Sequence, residues 1–256
     1  MPFYAIFVQL PQRFQSVNHT SAERAGILLL PTSLITPVGA LLAGTFSTKI
    51  PVEFILIASA AVTCIGIALL STLPTTPHIW AGTYGYEVIT GLGLGLASPP
   101  YFMLVASAVK EKELSVGTGA LNMVRTLGGC VAVAICSAVH REMLNDRLSA
   151  FLSPAEIGNV AASSGYVARL PADVREKIGD VLGESYNRQF RIIVAFAGAN
   201  VVVAVGLALV RKRLGIFGQL PSRERVEGSS EVEVEKGGAE DVGKKEGDIA
   251  HITEIK

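Results

Sequence analysis

Apolar residues do not alternate with polar ones along this chain; they run together. Strongly apolar stretches cover residues 24–47, 52–73, 79–109, 115–139 and 190–211, with a short one at 1–10. About 18 or more apolar residues with few charges suffice to cross ~30 Å of hydrocarbon as a helix. All but the first stretch reach that length. The period-two alternation of a barrel strand is missing, and in lipid only helices and closed barrels satisfy every backbone polar group. The pattern predicts an all-α polytopic membrane protein whose solvent is the lipid bilayer.

Composition sharpens this picture. Of 256 residues, 50% are hydrophobic and 17% charged, and the mean hydropathy is +0.45. Charges gather in the loops and the tail, so the net charge of zero marks no basic face and no nucleic-acid partner is expected. Cys64, Cys130 and Cys136 all fall inside apolar stretches, which makes no disulfide framework. His19, His78, His140 and His251 are far apart in predicted loops or the tail, so no metal site is expected. The GLGLG run at 91–95 lacks the strand and acidic partner of a nucleotide fingerprint, and nothing else calls for a cofactor.

The first apolar run follows Met1 directly, without a basic leader or a cleavage site. It reads as the outer half of a truncated first helix, with sequence missing upstream. The polar loop 11–23 carries the sequon Asn18-His19-Thr20, making Asn18 a glycosylation candidate usable only on the non-cytoplasmic side. The last stretch stops at Arg211-Lys212-Arg213, which favours the cytoplasm. Counting spans back from that end puts loop 11–23 outside, so the two cues agree. The outer loop 140–189 is expected to hold two short lid helices on the membrane surface. Ser153-Pro154-Ala155-Glu156 is a capping box with proline in the first turn. Leu170-Pro171 opens the second helix, with Val174, Ile178, Val181 and Leu182 on one face. Residues 1–213 thus form a transmembrane bundle, and 214–256 read as a disordered cytoplasmic tail rich in Gly, Glu, Lys and Ser.

Charges deep in a bilayer are costly and are candidates for function. Glu87 lies eight residues into stretch 79–109 and Arg125 ten residues into 115–139. At ~1.5 Å per residue, both fall near the middle of a core ~30 Å thick. The two form an ion pair, or Arg125 reaches backbone carbonyls or an aqueous cavity; the sequence leaves both open. Glu87 is the one carboxylate well inside a span and a candidate proton carrier. Asn122 shares a helical face with Arg125, and that face is expected to touch water or substrate. Gly91 and Gly95 form a GxxxG face for close helix approach, and Gly128 and Gly129 likewise admit neighbours. Pro99 and Pro100 cannot donate to the helix ladder, so a bend or break is expected there, and Pro31 and Pro37 carry the same expectation. Broken helices at depth often mark substrate paths.

Three segments, LPQRFQSVNHTSAERAGILLLP, YGYEVITGLGLGLASPP and LNMVRTLGG, occur in register with the span count. In this order they resemble the C-terminal half of fungal major facilitator superfamily drug:proton antiporters of the fourteen-span group, over residues 1 to about 213. The resemblance implies two six-helix bundles around a central cavity, of which this chain is the second. It implies export of an amphipathic small-molecule substrate in exchange for protons, at the plasma membrane or alternatively the vacuolar membrane. Gln9, Glu87, Tyr101 and Arg125 then become candidate lining residues. The family's first bundle lies outside this sequence, and alternating access needs both. The alternative is a non-transporting membrane protein that acts as an assembly or regulatory partner. An intramembrane enzyme would need paired catalytic groups at depth, and the spans offer none.

Overall fold

The computed structural model describes residues 2–149, 152–162 and 172–216. Residues Met1–Gly218 make one unit and Gln219–Lys256 another; the expected disordered tail lies, from residue 217 onward, outside the described residues. Eight α-helices are described: α1 (Pro2–Ser16), α2 (Ala22–Leu28), α3 (Leu30–Phe46), α4 (Val52–Leu70), α5 (Gly82–Ala108), α6 (Leu114–Leu148), α7 (Pro154–Ala162) and α8 (Ala172–Arg213). No strand occurs among the described residues. Five helical segments are long and apolar enough to cross a bilayer, with α2 and α3 counted as one.

The helix ends follow local chemistry. α1 runs through Pro11 to Ser16, so residues 11–16 are helix and not the expected loop. Its end is closed by Thr20, whose Oγ1 donates to the Phe14 carbonyl at 2.9 Å. Ser21 then caps α2 by accepting from the Arg24 N–H at 3.2 Å. The chain breaks at Leu29 because Pro31 has no N–H to give the Ile27 carbonyl; proline instead sits in the first turn of α3, where no donor is required. Pro37, Pro99 and Pro100 lie inside helices, and α5 continues through both of its prolines. The expected break at Pro99-Pro100 is absent from the described chain.

The largest departure concerns loop 140–189. α6 continues to Leu148, and α8 is one helix from Ala172 to Arg213. At ~1.5 Å per residue these helices are far longer than a ~30 Å core, so their ends extend beyond it. The expected face of Ile178 and Leu182 is buried, but it belongs to the extension of the last span and not to a separate lid helix. Leu144 and Leu148 of α6 meet Ile157 and Val160 of α7 in the same core, so α7 is packed against helix and not only against a membrane surface. The capping box forms as expected: Ser153 donates from its N at 2.8 Å and its Oγ at 2.7 Å to Glu156 Oε2, and the Glu156 N–H returns to Ser153 Oγ at 3.4 Å. The backbone bond first, then the hydroxyl, hold the Glu156 carboxyl below its ordinary value.

α5 lies between α3 and α4, α4 packs on α8, and α8 packs on α6 and α1. The α3–α5 pair is parallel: Thr32 faces Glu87, Thr36 faces Gly91, and Gly39 faces Gly95. The α4–α5 pair is antiparallel, with Gly66 on Thr90 and Thr63 on Gly93. The sequon loop, residues 71–81 and the start of α8 therefore share one end of the bundle. There Arg13 donates to the Pro74 carbonyl at 2.8 Å and Thr75 to Asp180 Oδ1 at 3.2 Å. The opposite end holds residues 47–51 and the end of α8, joined by the Arg211–Glu53 pair at 2.6 Å.

Candidate functional site

A cavity of about 290 Å³ opens among α1, α4, α5, α6 and α8. Its position follows from side-chain size. Ala60 of α4, Ala97 of α5 and Ala199 of α8 all face it, and three short side chains at one level leave space that no neighbour fills. Ala60 stands midway along α4, so the cavity lies near the middle of the bundle's depth. Phe3, Leu94 and Phe196 make its walls largely apolar. Polar groups are few. Tyr101 donates its hydroxyl to Asn200 Oδ1 at 3.2 Å, across from α5 to α8. Thr63 also lines the wall, with its hydroxyl turned to the Ser59 carbonyl at 2.8 Å. Among the described residues, Arg125 of α6 is the one cationic side chain in the lining.

Glu87 lies elsewhere. It is fully buried near the start of α5 and faces α3. Its Oε2 accepts from the Thr32 hydroxyl at 3.5 Å, a long bond, while Oε1 has no hydrogen-bond partner among the described residues. The Glu87–Arg125 ion pair does not form. Depth alone made it feasible, but α5 turns the Glu87 side toward α3, whereas α6 packs chiefly on α8 and α1. Tyr101 is also 14 residues along α5 from Glu87, a rise of roughly 20 Å. Of the two alternatives for Arg125, the structure shows the cavity.

The remaining candidates disperse. Gln9 is buried in α1 and does not line the cavity, and Asn122 is exposed on α6. Gly91 and Gly95 sit directly against Thr32, Thr36 and Gly39 of α3, the close approach expected of a GxxxG face. Gly128 and Gly129 are buried, and a Cβ at Gly129 would lie 2.6 Å from the Tyr4 ring of α1. Pro99 and Pro100 occupy the helical stretch next to Tyr101 without interrupting it. Pro31 sits at the α2–α3 break, and Pro37 within α3. Asn18 directs Nδ2, the atom a glycan would take, at two carbonyls, Thr76 at 3.2 Å and Pro77 at 3.1 Å.

The packing of four polar residues, buried Arg13 and Glu53 and half-buried His140 and Arg211, was not legible in the sequence. Arg13 is 2% exposed on α1. It follows Ile6, Gln9 and Leu10 at helical spacing, a period that ending the first run at residue 10 concealed. His140 is in α6, not in a loop, and its Nδ1 meets Ser185 Oγ at 2.8 Å and Gln189 Nε2 at 3.1 Å from α8. Glu53 and Arg211 each stand at a span end, and only the antiparallel packing of α4 on α8 joins them.

Residues 1–133 match the model of the Major Facilitator Superfamily. The MFS-type transporter FPY5 of Fusarium mangiferae is 32% identical over 206 residues, covering 80% of this chain and 34% of the relative. The MFS-type efflux transporter pyiT of Pyricularia grisea is 27% identical over 202 residues, 76% of this chain and 33% of its own length. The efflux pump roqT of Penicillium rubens is 24% identical over 209 residues, 80% of this chain and 38% of its own length. The chain thus spans about a third of the length of the curated relatives it matches.

Proposed function

Because the chain belongs to the Major Facilitator Superfamily, and is an integral membrane protein on the strength of its spans and relatives, we propose that it forms the C-terminal bundle of a proton-coupled exporter of amphipathic small molecules. The fourteen-span antiporter group, the plasma membrane and a first bundle supplied by further sequence belong to the same proposal. One observation carries it: a mainly apolar cavity at mid-depth, bounded by five helices and provided with a few polar groups. Binding sites for small molecules have this form, an apolar hollow with a few placed polar atoms.

In this reading Glu87 carries the proton. It is a buried carboxyl with one unpartnered oxygen, on the same helix as Leu94, Ala97 and Tyr101 of the cavity wall. A change in its charge and a change in α5 packing are therefore linked by one rigid element. The test uses inside-out vesicles from yeast expressing the complete protein, with a fluorescent amphipath as cargo. An imposed pH gradient is expected to drive uptake, and a protonophore to abolish it. In Glu87→Gln, cargo should still bind while uptake stops responding to the gradient. Uptake that ignores the gradient in the unaltered protein would end the proton-coupled reading.

A further inference from the structure

We propose that the cavity among α1, α4, α5, α6 and α8 binds amphipathic organic anions, with Arg125 taking the anionic head and the aromatic and aliphatic wall taking the apolar body. The proposal rests on the export reading above in one respect, that the bound molecule is the cargo. The binding claim stands on the cavity itself.

Arg125 lines this space and makes no hydrogen bond or ion pair among the described residues. A guanidinium brings several N–H donors in a planar fork. Within a membrane such a group needs an acceptor, because hydrocarbon supplies none. The described lining includes no acidic side chain. The nearest buried carboxyl on α5, Glu87, faces α3 instead. The Thr63 and Tyr101 hydroxyls donate to the Ser59 carbonyl and to Asn200 Oδ1, while the Ser98 hydroxyl, also in the wall, makes no hydrogen bond among the described residues. Asn200, whose Oδ1 takes the Tyr101 hydroxyl, keeps its Nδ2 donors for a second acceptor. The cavity therefore offers unspent donors, one of them cationic, and an apolar remainder formed by residues such as Phe3, Leu94 and Phe196. A carboxylate matches the guanidinium fork with two parallel bonds, and the rest of the molecule must be apolar. A cation of equal shape meets Arg125 with like charge, and a neutral analogue forfeits the paired bond.

The experiment measures equilibrium binding to the purified complete protein in lipid nanodiscs at neutral pH. The probes are phenylbutyrate, phenylbutanamide and phenylbutylamine, one shape in three charge states. The carboxylate should bind at least about tenfold more tightly than the amide, equivalent to about 1.4 kcal/mol, with the amine weakest. Arg125→Gln should bring the carboxylate to within about twofold of the amide. Arg125→Lys should keep part of the preference, since it retains charge but loses the fork. Ala199→Phe, which fills the cavity, should weaken all three probes. If Arg125→Gln does not accumulate, the three probes on the unaltered protein and the Arg125→Lys comparison decide the matter. Equal binding of the three probes overturns the proposal, as does an intact carboxylate preference in Arg125→Gln or undiminished binding of all three in Ala199→Phe. A protein that binds the carboxylate but does not move it would sink the export reading and leave this site standing. One that exports the amide as readily as the acid would do the reverse.

Discussion

The seam between α3 and α5 depends on two glycines that touch each other. A Cβ built at Gly39 would lie 2.7 Å from the Leu92 carbonyl oxygen and 3.1 Å from the Gly95 Cα. One built at Gly95 would press on the Thr36 carbonyl and lie 3.0 Å from the Gly39 Cα. Ordinary contact begins near 3.4 Å, and every obstructing atom here is backbone, so no side chain can swing aside. In Gly95→Ala the two helices must part by several tenths of an ångström along their contact. Overpacking of this kind costs about 1–3 kcal/mol, while alanine regains up to about 1 kcal/mol of helix propensity over glycine. The net expectation is destabilisation of about 1–2 kcal/mol. Gly44→Ala, on α3 with Gly39, is the control: nothing lies within 4 Å of its Cβ, so only the propensity gain remains. The two seam changes should also be non-additive, because a seam opened by Gly95→Ala already admits Gly39→Ala. Thermal melting of purified protein in detergent, read on single and double variants, checks all three statements. If Gly95→Ala melts no lower than Gly44→Ala, or if the two seam losses simply add, the close-packed seam is wrong.

Three other outcomes follow from named contacts. The Glu53 side chain is 2% exposed and that of Arg211 11%; Glu53→Gln alone should therefore lower stability by about 3–5 kcal/mol through the stranded charge, and Glu53→Gln with Arg211→Met should recover much of it in the same melting assay. Asn18→Asp keeps the shape but removes both donors facing the Thr76 and Pro77 carbonyls, so it should cost about 0.5–1.5 kcal/mol, whereas a melting point equal to that of the unaltered protein would remove Asn18 from the loop contact. In a background lacking Cys64, Cys130 and Cys136, an impermeant maleimide on intact cells should label Asn159→Cys in α7 and spare Lys49→Cys at the opposite end; the reverse pattern would invert the orientation drawn from the sequon and Arg211-Lys212-Arg213.

The spans were legible because lipid enforces length. Residues 24–47, 52–73 and 79–109 bracket the helices found, within a few residues. What hydropathy concealed were the helical extensions beyond the core. Past Cys136, α6 carries Arg141, Glu142, Asp146 and Arg147, and the first turns of α8 carry Lys177, Asp180, Glu184 and Arg188, so the apolar run ends while the helix does not. Periodicity was the better guide there: Cys136, Met143, Leu144 and Leu148 are buried on one side, and Ile178, Leu182, Tyr186, Phe190 and Ile193 on the other. Pro99 and Pro100 deprive the Gly95 and Leu96 carbonyls of their usual donors, and α5, held by neighbours on two sides, stays helical through both without a break.

Glu87 and Arg125 show what depth cannot supply. Depth is one coordinate, and a contact needs two more: the face of each helix and the order of helices around the bundle. Consecutive helices need not be the closest neighbours, and α5 spends its glycine faces on α3 and α4. That choice has a consequence for the cavity. Where α5 meets α3 and α4, glycine lets backbone touch backbone and no space remains. Ala97 and Tyr101, further along the same helix, line the cavity together with Ala60 of α4 and Ala199 of α8. Alanine and glycine look alike in a hydropathy profile, yet here they do opposite work. Glycine removes the last atom between two helices and locks them, while three opposed alanines leave a hollow that other side chains cannot reach. The hollow and the lock lie on one helix, so a molecule entering the first must push on a body already fixed to α3 and α4.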